Sequence, residues 1–327
     1  MTLFGKLCLS AALSLGLTGA ASAADFTMKI AAGAAPDGNV CKNYLDVWAE
    51  EVKEKSGGRI DYQMFCGGTL AKMGDAVNRV SQGVADVAWD LPGFYGARFA
   101  GLTAIGVPGL YTDPEPASGA LWNAYAAGDL GTIDEVKVLW VQAVNNNSFF
   151  MAKPLEDYTN LNGTKMGMGS QIRAKVLEAL NGVPIAIKVP EYYQAMSKGA
   201  VDGLMTTAGA VFDFGIEELV KEIYDAPFGG GLTFVVMNKD FYNSLPDDLK
   251  AVIDETTGYD RSKWASAYLR DEEHGTVTAA GINIRTATDA EVEALQPAIT
   301  SGRTAFLASA PENPGFVAAI EAQLAKE

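Results

Sequence analysis

The chain has 327 residues, 25 Lys+Arg against 40 Asp+Glu for a net charge of −15, and 48% hydrophobic residues. That length suggests roughly two domains of about 100–200 residues each. The acidic balance argues against nucleic-acid or anionic-membrane partners, which need clustered Lys/Arg, and a single histidine, His274, excludes His-rich metal sites and His–His acid/base pairs.

Residues 1–23 have the three parts of a secretory signal. Lys6 supplies the positive start, residues 7–17 the apolar stretch, and Ala21-Ser22-Ala23 the small-residue cleavage site, so cleavage is expected before Ala24. The apolar run is shorter than the roughly 20 residues a bilayer requires, which reads as export to the periplasm without membrane insertion. Losing Lys6 leaves 24 positive against 40 negative residues, a net charge of −16. Cys8 goes with the leader, leaving Cys41 and Cys66 in an oxidising compartment. They form either a disulfide closing a loop of about 25 residues, worth roughly 3 kcal/mol, or a pair of buried free thiols. The disulfide requires the first helix to start beside the end of the second strand.

Beyond the leader, apolar runs alternate with helical patterns. Strands are predicted at 26–32, 60–65 and 85–89, with helices at 40–55 and about 72–81 between them. Further strands are predicted at 136–141, 165–168, 185–189, 201–205, 232–237 and 282–285, and helical stretches at about 247–279 and 289–307. This alternation indicates βαβ units and largely parallel sheet. Ser81-Gln82-Gly83-Val84-Ala85-Asp86 echoes Ser197-Lys198-Gly199-Ala200-Val201-Asp202, each with a helix before it and a short strand after it. Two such units fit two lobes of similar topology facing a cleft.

Ligands of open parallel sheets bind outside the carboxyl ends of the strands. That rule selects Trp89, Asp90, Phe94 and Tyr95 after the third strand, and Asn145 and Asn147 after the strand at 136–141. It also selects Met168, the expected helix cap Ser170 and Arg173 after the strand at 165–168, then Tyr192, Thr206 and Thr207. Catalytic machinery is scarce. G-x-G-x-x-G, the Walker-type phosphate loop and G-x-S-x-G are absent. Gly229-Gly230-Gly231 reads as the lead into a strand, and His274 as a solvated helix residue beside Arg270-Asp271-Glu272-Glu273. Nothing joins a nucleophile to a base, so the inventory points to binding, with no metal and no cofactor. An exported hydrolase or isomerase using Asp90 and Glu191 is the alternative, and a ligand sensor for a membrane receptor is a third reading.

Several segments carry a family resemblance: residues 83–89 followed by Leu91-Pro92-Gly93, residues 161–166, residues 189–196 with 199–203, residues 236–239, and residues 245–250. In this order they resemble the solute-binding proteins of tripartite ATP-independent periplasmic (TRAP) transporters, DctP type, over nearly all of 24–327. The resemblance implies a two-lobed α/β fold of mixed, mostly parallel sheets flanked by helices, with a long helix bridging the lobes. It implies lobe I from 24–147 plus about 228–255, and lobe II from 148–227 plus about 256–327, with a hinge between. It further implies capture of a small organic solute, a carboxylate by family default, and delivery to integral membrane subunits of a TRAP transporter. One position departs. Where the family usually has an arginine that clamps a ligand carboxylate, this chain has Gly167. Either Arg173 reaches into the cleft in its place or it is a helix-surface arginine. If the ligand lacks a carboxylate, the aromatics beside Asp90 suit a cationic or polyol solute.

Overall fold

Strand–helix alternation on either side of Asn145-Asn146-Asn147 builds two sheets rather than one in the computed structural model, which describes residues 24–213 and 215–327. The leader expected at residues 1–23 lies outside the described residues. In chain order the strands are β1 (Phe26–Ala32), β2 (Ile60–Phe65), β3 (Val87–Asp90), β4 (Lys137–Ala143), β5 (Ser148–Met151), β6 (Lys165–Met168), β7 (Val183–Ala186), β8 (Gly203–Thr206), β9 (Glu222–Asp225), β10 (Leu232–Met237) and β11 (Asn283–Thr286). The helices are α1 (Asp46–Lys55), α2 (Ala76–Ser81), α3 (Ala100–Thr103), α4 (Pro114–Ala126), α5 (Gln171–Ala179), α6 (Tyr192–Ser197), α7 (Ala208–Asp213), α8 (Lys239–Ser244), α9 (Asp247–Glu255), α10 (Tyr259–Ala279), α11 (Asp289–Leu307) and α12 (Asn313–Leu324).

The first sheet has the order β2-β1-β3-β10-β4 and the second β11-β9-β5-β8-β6-β7. Both are covered on two faces. Met28, Ile30, Trp48 and Trp140 fill one side of the first sheet, and Val77, Leu102 and Phe234 the other. Phe149 and Met166 lie on one side of the second, Phe150, Leu204 and Ile223 on the other. Two-sided burial is why these strands read as continuous apolar runs. Strand direction records where each strand comes from. β1 is parallel to β2 and β3, and β6 is parallel to β7 and β8. β5, arriving from the first lobe, is antiparallel to β8 and β9. β10, arriving from the second, is antiparallel to β3 and β4.

The structure departs from the sequence reading at several places. β5 and β9, four residues each, were not expected. The strand expected at 185–189 lies at Val183–Ala186, and the helix expected at 72–81 is confined to Ala76–Ser81. The helical stretch at 247–279 breaks at Gly258, whose φ of +87° no side-chain-bearing residue adopts easily. Its amide donates to the Leu139 carbonyl at 2.8 Å, and a Cβ there would meet the Trp122 ring at 3.4 Å.

α10 is the bridging helix, 21 residues and about 30 Å long at 1.5 Å per residue. Its first half is bolted to β4. The Ser262 hydroxyl donates to Gly258 O (2.8 Å) and accepts from the Val141 amide (3.3 Å), while Ser266 Oγ donates to Ala143 O (2.7 Å). Gln142 Nε2 donates to Ala265 O at 3.0 Å. Further along, Val277 joins Phe150 and Ile223 in the core of the second lobe. α12 packs on α3 and α4, with Val317 and Ile320 beside Leu121 and Ala124. The sequence boundaries put 256–327 with the second lobe, but the start of α10 and all of α12 pack on the first, where their apolar faces find α4.

Two segments that cross between the lobes lie side by side. The Val144 amide donates to Gly231 O at 3.2 Å, and the Asn147 amide to Gly229 O at 2.8 Å. The loop at 106–111 closes over them, with Tyr111 Oη donating to Val144 O at 2.6 Å. The glycine run precedes a strand, as expected, and also forms this crossing. A Cβ on Gly229 would lie 2.4 Å from Gly106 O, and one on Gly230 2.0 Å from Tyr111 Oη. Cys41 and Cys66 are joined as a disulfide, with Cα atoms 6.6 Å apart. The amides of Gly67 and Gly68, donating to Ala34 O (2.7 Å) and Ala32 O (3.1 Å), bring the end of β2 against the entry to the first helical segment.

Replacing both cysteines by serine is expected to lower the unfolding free energy by about 3 kcal/mol; a urea midpoint equal to wild type would contradict this. Gly230→Ala is expected to cost about 1–3 kcal/mol by overpacking against Tyr111, read as a lower melting temperature, and a neutral substitution would mean the crossing has room to spare.

Candidate functional site

The strand-end rule directs a ligand to the carboxyl ends of β1, β3, β6 and β8 and the N-terminus of α5. On the first lobe, Asp90 is fully buried. Its carboxylate accepts from the amides of Gly74 (3.0 Å to each oxygen), Ala76 (3.2 Å) and Leu91 (2.8 Å), and from Tyr95 Oη. Tyr95 Oη in turn accepts from the Val77 amide at 3.0 Å, and burial together with Asp90 holds its phenol proton well above the usual range. Asp90 and Tyr95 therefore tie the turn before α2 to the turn after β3. Glu191 lies on the other lobe, exposed, accepting from the Lys188 amide at 3.2 Å. Of the expected acid/base pair, Asp90 is thus saturated by the fold and Glu191 is exposed.

Apolar side chains are exposed beside this turn. Phe94 is 60% exposed and Met73 44%, while Trp89 behind them is largely buried. Gly74, at φ +81°, lets the chain pass Phe94, since a Cβ there would lie 3.2 Å from the Phe94 Cβ. Met73 was not among the sequence candidates; its flanking glycine and the exposed aromatic that follows were the available signal.

The asparagines act at the crossing. Asn145 Nδ2 donates to Glu273 Oε2 of α10 at 2.7 Å, and Asn147 Nδ2 donates to Gly229 O. Nearby is a cavity of about 380 Å³ between the start of α4, the crossing strand and the far half of α10, lined in part by Asn145, Ser148, Asp225, Arg270 and His274. Burial pushes the Asp225 carboxyl up, against the opposing effect of a hydrogen bond from Ser148. Arg270 is paired with Asp113 at 2.9 Å.

The second lobe gathers the remaining groups. Ser170 caps α5 as expected, its Oγ accepting from the Arg173 amide at 3.3 Å. The carboxyl end of β6 places Met168 in the core and turns at Gly169 into that cap. Thr206 is buried at the end of β8, opposite Ser148, with Thr207 partly buried after it. Arg173 is partly buried, and its Nη1 donates to Met205 O at 3.3 Å. Among the described residues no carboxylate lies within ion-pair distance of it, and burial holds its pKa below the ordinary guanidinium value. Tyr192 is fully buried, and its Oη has no hydrogen-bond partner among the described residues. Both converge on Gly169, where a Cβ would lie 3.6 Å from Tyr192 Oη and 4.0 Å from Arg173 Nη1. Gly167 is closed off. A Cβ there would come within 2.6 Å of Ile187 Cδ1 and 2.8 Å of Leu204 Cδ2, so aliphatic side chains fill the space beside the strand. Ile187, Leu204 and Gly169 were not among the sequence candidates, because their role depends on which face of β6 each neighbour covers.

Comparison with known proteins places this architecture. Residues 31–306 match the family described as bacterial extracellular solute-binding protein, family 7 (DctP). A solute-binding protein of Sulfitobacter sp. (strain NAS-14.1) is 27% identical over 70% of this chain and 69% of its own length. The C4-dicarboxylate-binding periplasmic protein DctP of Rhodobacter capsulatus is 26% identical over 83% and 82%. Among solved structures, a marine-metagenome TRAP solute-binding protein specific for aromatic acids, in complex with 3-hydroxybenzoate, superposes with a TM-score of 0.78 at 25% identity. That match covers 92% of this chain and 98% of the other. A TRAP solute-binding protein of Rhodoferax ferrireducens, in complex with benzoate, has the same fold with a TM-score of 0.76, 23% identity and the same coverage. The match over most of its length shows that the chain belongs to the DctP family of TRAP solute-binding proteins.

Proposed function

We propose that this protein captures a small organic monoanion through a carboxylate held by Arg173 at the N-terminus of α5, and hands it to the membrane subunits of a TRAP transporter. The observation that carries the reading is the partly buried Arg173 guanidinium, which has a backbone carbonyl but no carboxylate as partner. A desolvated charge without a counter-ion is costly, and a ligand carboxylate removes that cost through charge-assisted, bidentate hydrogen bonds. The first-turn amides of α5 add donors and a favourable dipole. Across the cleft, the exposed Phe94 and Met73 offer apolar surface for the body of the ligand. Relatives in complex with 3-hydroxybenzoate and benzoate support an aromatic or similarly apolar acid.

The protein reaches the periplasm after cleavage before Ala24 and works by population shift, the ligand stabilising the closed arrangement of the lobes. The ligand leaves chemically unaltered, since Asp90 is spent on backbone amides and Glu191 is exposed.

Arg173→Ala is expected to weaken carboxylate binding at least tenfold, about 1.4 kcal/mol, by titration calorimetry with benzoate and related acids. Arg173→Lys should recover only part of the loss, because an ammonium cannot pair bidentately. Affinity equal to wild type in Arg173→Ala would remove this residue from the site. Binding should also fall as pH drops through the ligand's carboxyl range near 4, where the anion is lost while the guanidinium stays charged.

A further inference from the structure

We propose that Tyr192 is a specificity-determining residue of this site: its hydroxyl is a second donor, beside Arg173, to a carboxylate seated over Gly169. The inference rests on the Arg173 reading and deepens it. Three observations meet here. The Tyr192 hydroxyl is fully buried without a partner among the described residues. It approaches the same point over Gly169 as Arg173 Nη1, at 3.6 and 4.0 Å. The tyrosine ring is fixed from behind, packed with Phe150 and Leu204 in the core of the second lobe, so the hydroxyl cannot swing to water without unpacking the ring.

An unpaired buried hydroxyl is rare in folded proteins, and each instance calls for an explanation. A phenylalanine fills the same volume without that cost, so the hydroxyl is a stability liability in the ligand-free protein. A carboxylate offers two oxygens. Arg173 occupies one edge of it, and a neutral O–H placed beside the guanidinium serves a remaining lone pair without adding a second charge to be desolvated. Tyr224 provides an internal comparison. Its hydroxyl is also buried and unpartnered, but its ring is stacked on Tyr158 and Phe149 in the core on the other face of the sheet.

The test uses benzoate, 3-hydroxybenzoate, mandelate and pyroglutamate as probes, taking the tightest binder to the wild-type protein forward by calorimetry. Tyr192→Phe is expected to lower its affinity at least tenfold while raising the melting temperature of the ligand-free protein by about 2 °C. Tyr224→Phe is expected to raise the melting temperature and leave affinity unchanged. In a double-mutant cycle, Tyr192→Phe should cost less in the Arg173→Ala background than in wild type, because the two donors share one acceptor group. Unchanged affinity in Tyr192→Phe with a large loss in Arg173→Ala overturns this proposal alone. A lower melting temperature with unchanged affinity assigns the hydroxyl a structural role and also overturns it. Equal affinity losses in Tyr192→Phe and Tyr224→Phe make the effect non-specific, with the same consequence. Binding of none of the four acids by the wild-type protein, or no loss in Arg173→Ala, overturns the carboxylate reading and this proposal with it.

Discussion

The paired crossing at 144–147 and 229–231 is the constraint on which the rest of the molecule depends. Two lobes joined by single flexible linkers would have no defined cleft. Here the two crossing segments are hydrogen-bonded to each other, with Asn147 gripping Gly229 O through both its backbone and its side chain. Tyr111 closes over the pair and leaves no room for a Cβ at Gly230. Any relative motion of the lobes must therefore bend a two-stranded ribbon rather than swivel about a thread. The antiparallel placement of β5 and β10 in otherwise parallel neighbourhoods follows from the same crossing, since each strand enters its sheet from the far lobe. α10 adds a third tie, hydrogen-bonded to β4 at Ser262 and Ser266 and reaching the second lobe at Val277.

With the frame held in this way, the placement of polar groups separates those that build the protein from those left for a ligand. Asp90, Asn145 and Asn147 are all polar residues at strand ends, and the Asp90 carboxylate and both amide nitrogens are engaged within the fold, although Asn147 Oδ1 has no partner among the described residues. Arg173 and Tyr192 differ. Among the described residues, one is a charge without a counter-ion and the other a buried hydroxyl without a partner. Interiors rarely retain such groups, because leaving a polar group unmade costs more than making its bond gains. Their convergence over Gly169 puts both costs at one point, where a single anion removes them together.

Much of the fold is legible in the sequence because it rests on local signals. β1, β2 and β10 fall where their apolar runs stand, the Ser170 cap opens α5, and the condition for a Cys41–Cys66 disulfide is met. β9 is not legible, since Glu222-Ile223-Tyr224-Asp225 sets only two apolar residues between two acidic ones, and β5 is not, since it follows β4 after only four residues. The return of α12 to the first lobe is equally invisible, because an apolar helix face does not announce which partner it will cover. In the candidate site, the strand-end rule points to a region but cannot divide it. Asp90 and Arg173 look alike as charged residues after strands. Only the count of donors around each oxygen and nitrogen tells them apart. Gly167 is informative as a missing side chain, but the reason no large side chain fits there, Ile187 and Leu204, comes from two other strands' surroundings.

The overall charge makes the local arrangement more demanding. A chain with 25 Lys+Arg against 40 Asp+Glu presents an unfavourable long-range field to an anion. At physiological ionic strength that field decays over about 8 Å, so it affects approach more than the bound state. Attraction must then come from groups within hydrogen-bond reach in a water-poor pocket, where a single guanidinium outweighs distant carboxylates. Adding further cations to the cleft would strengthen attraction but raise the cost of desolvating the site in the ligand-free protein. In the proposed site, one arginine, the amides of a helix N-terminus and a neutral tyrosine hydroxyl supply several donors to a carboxylate at the cost of a single buried charge.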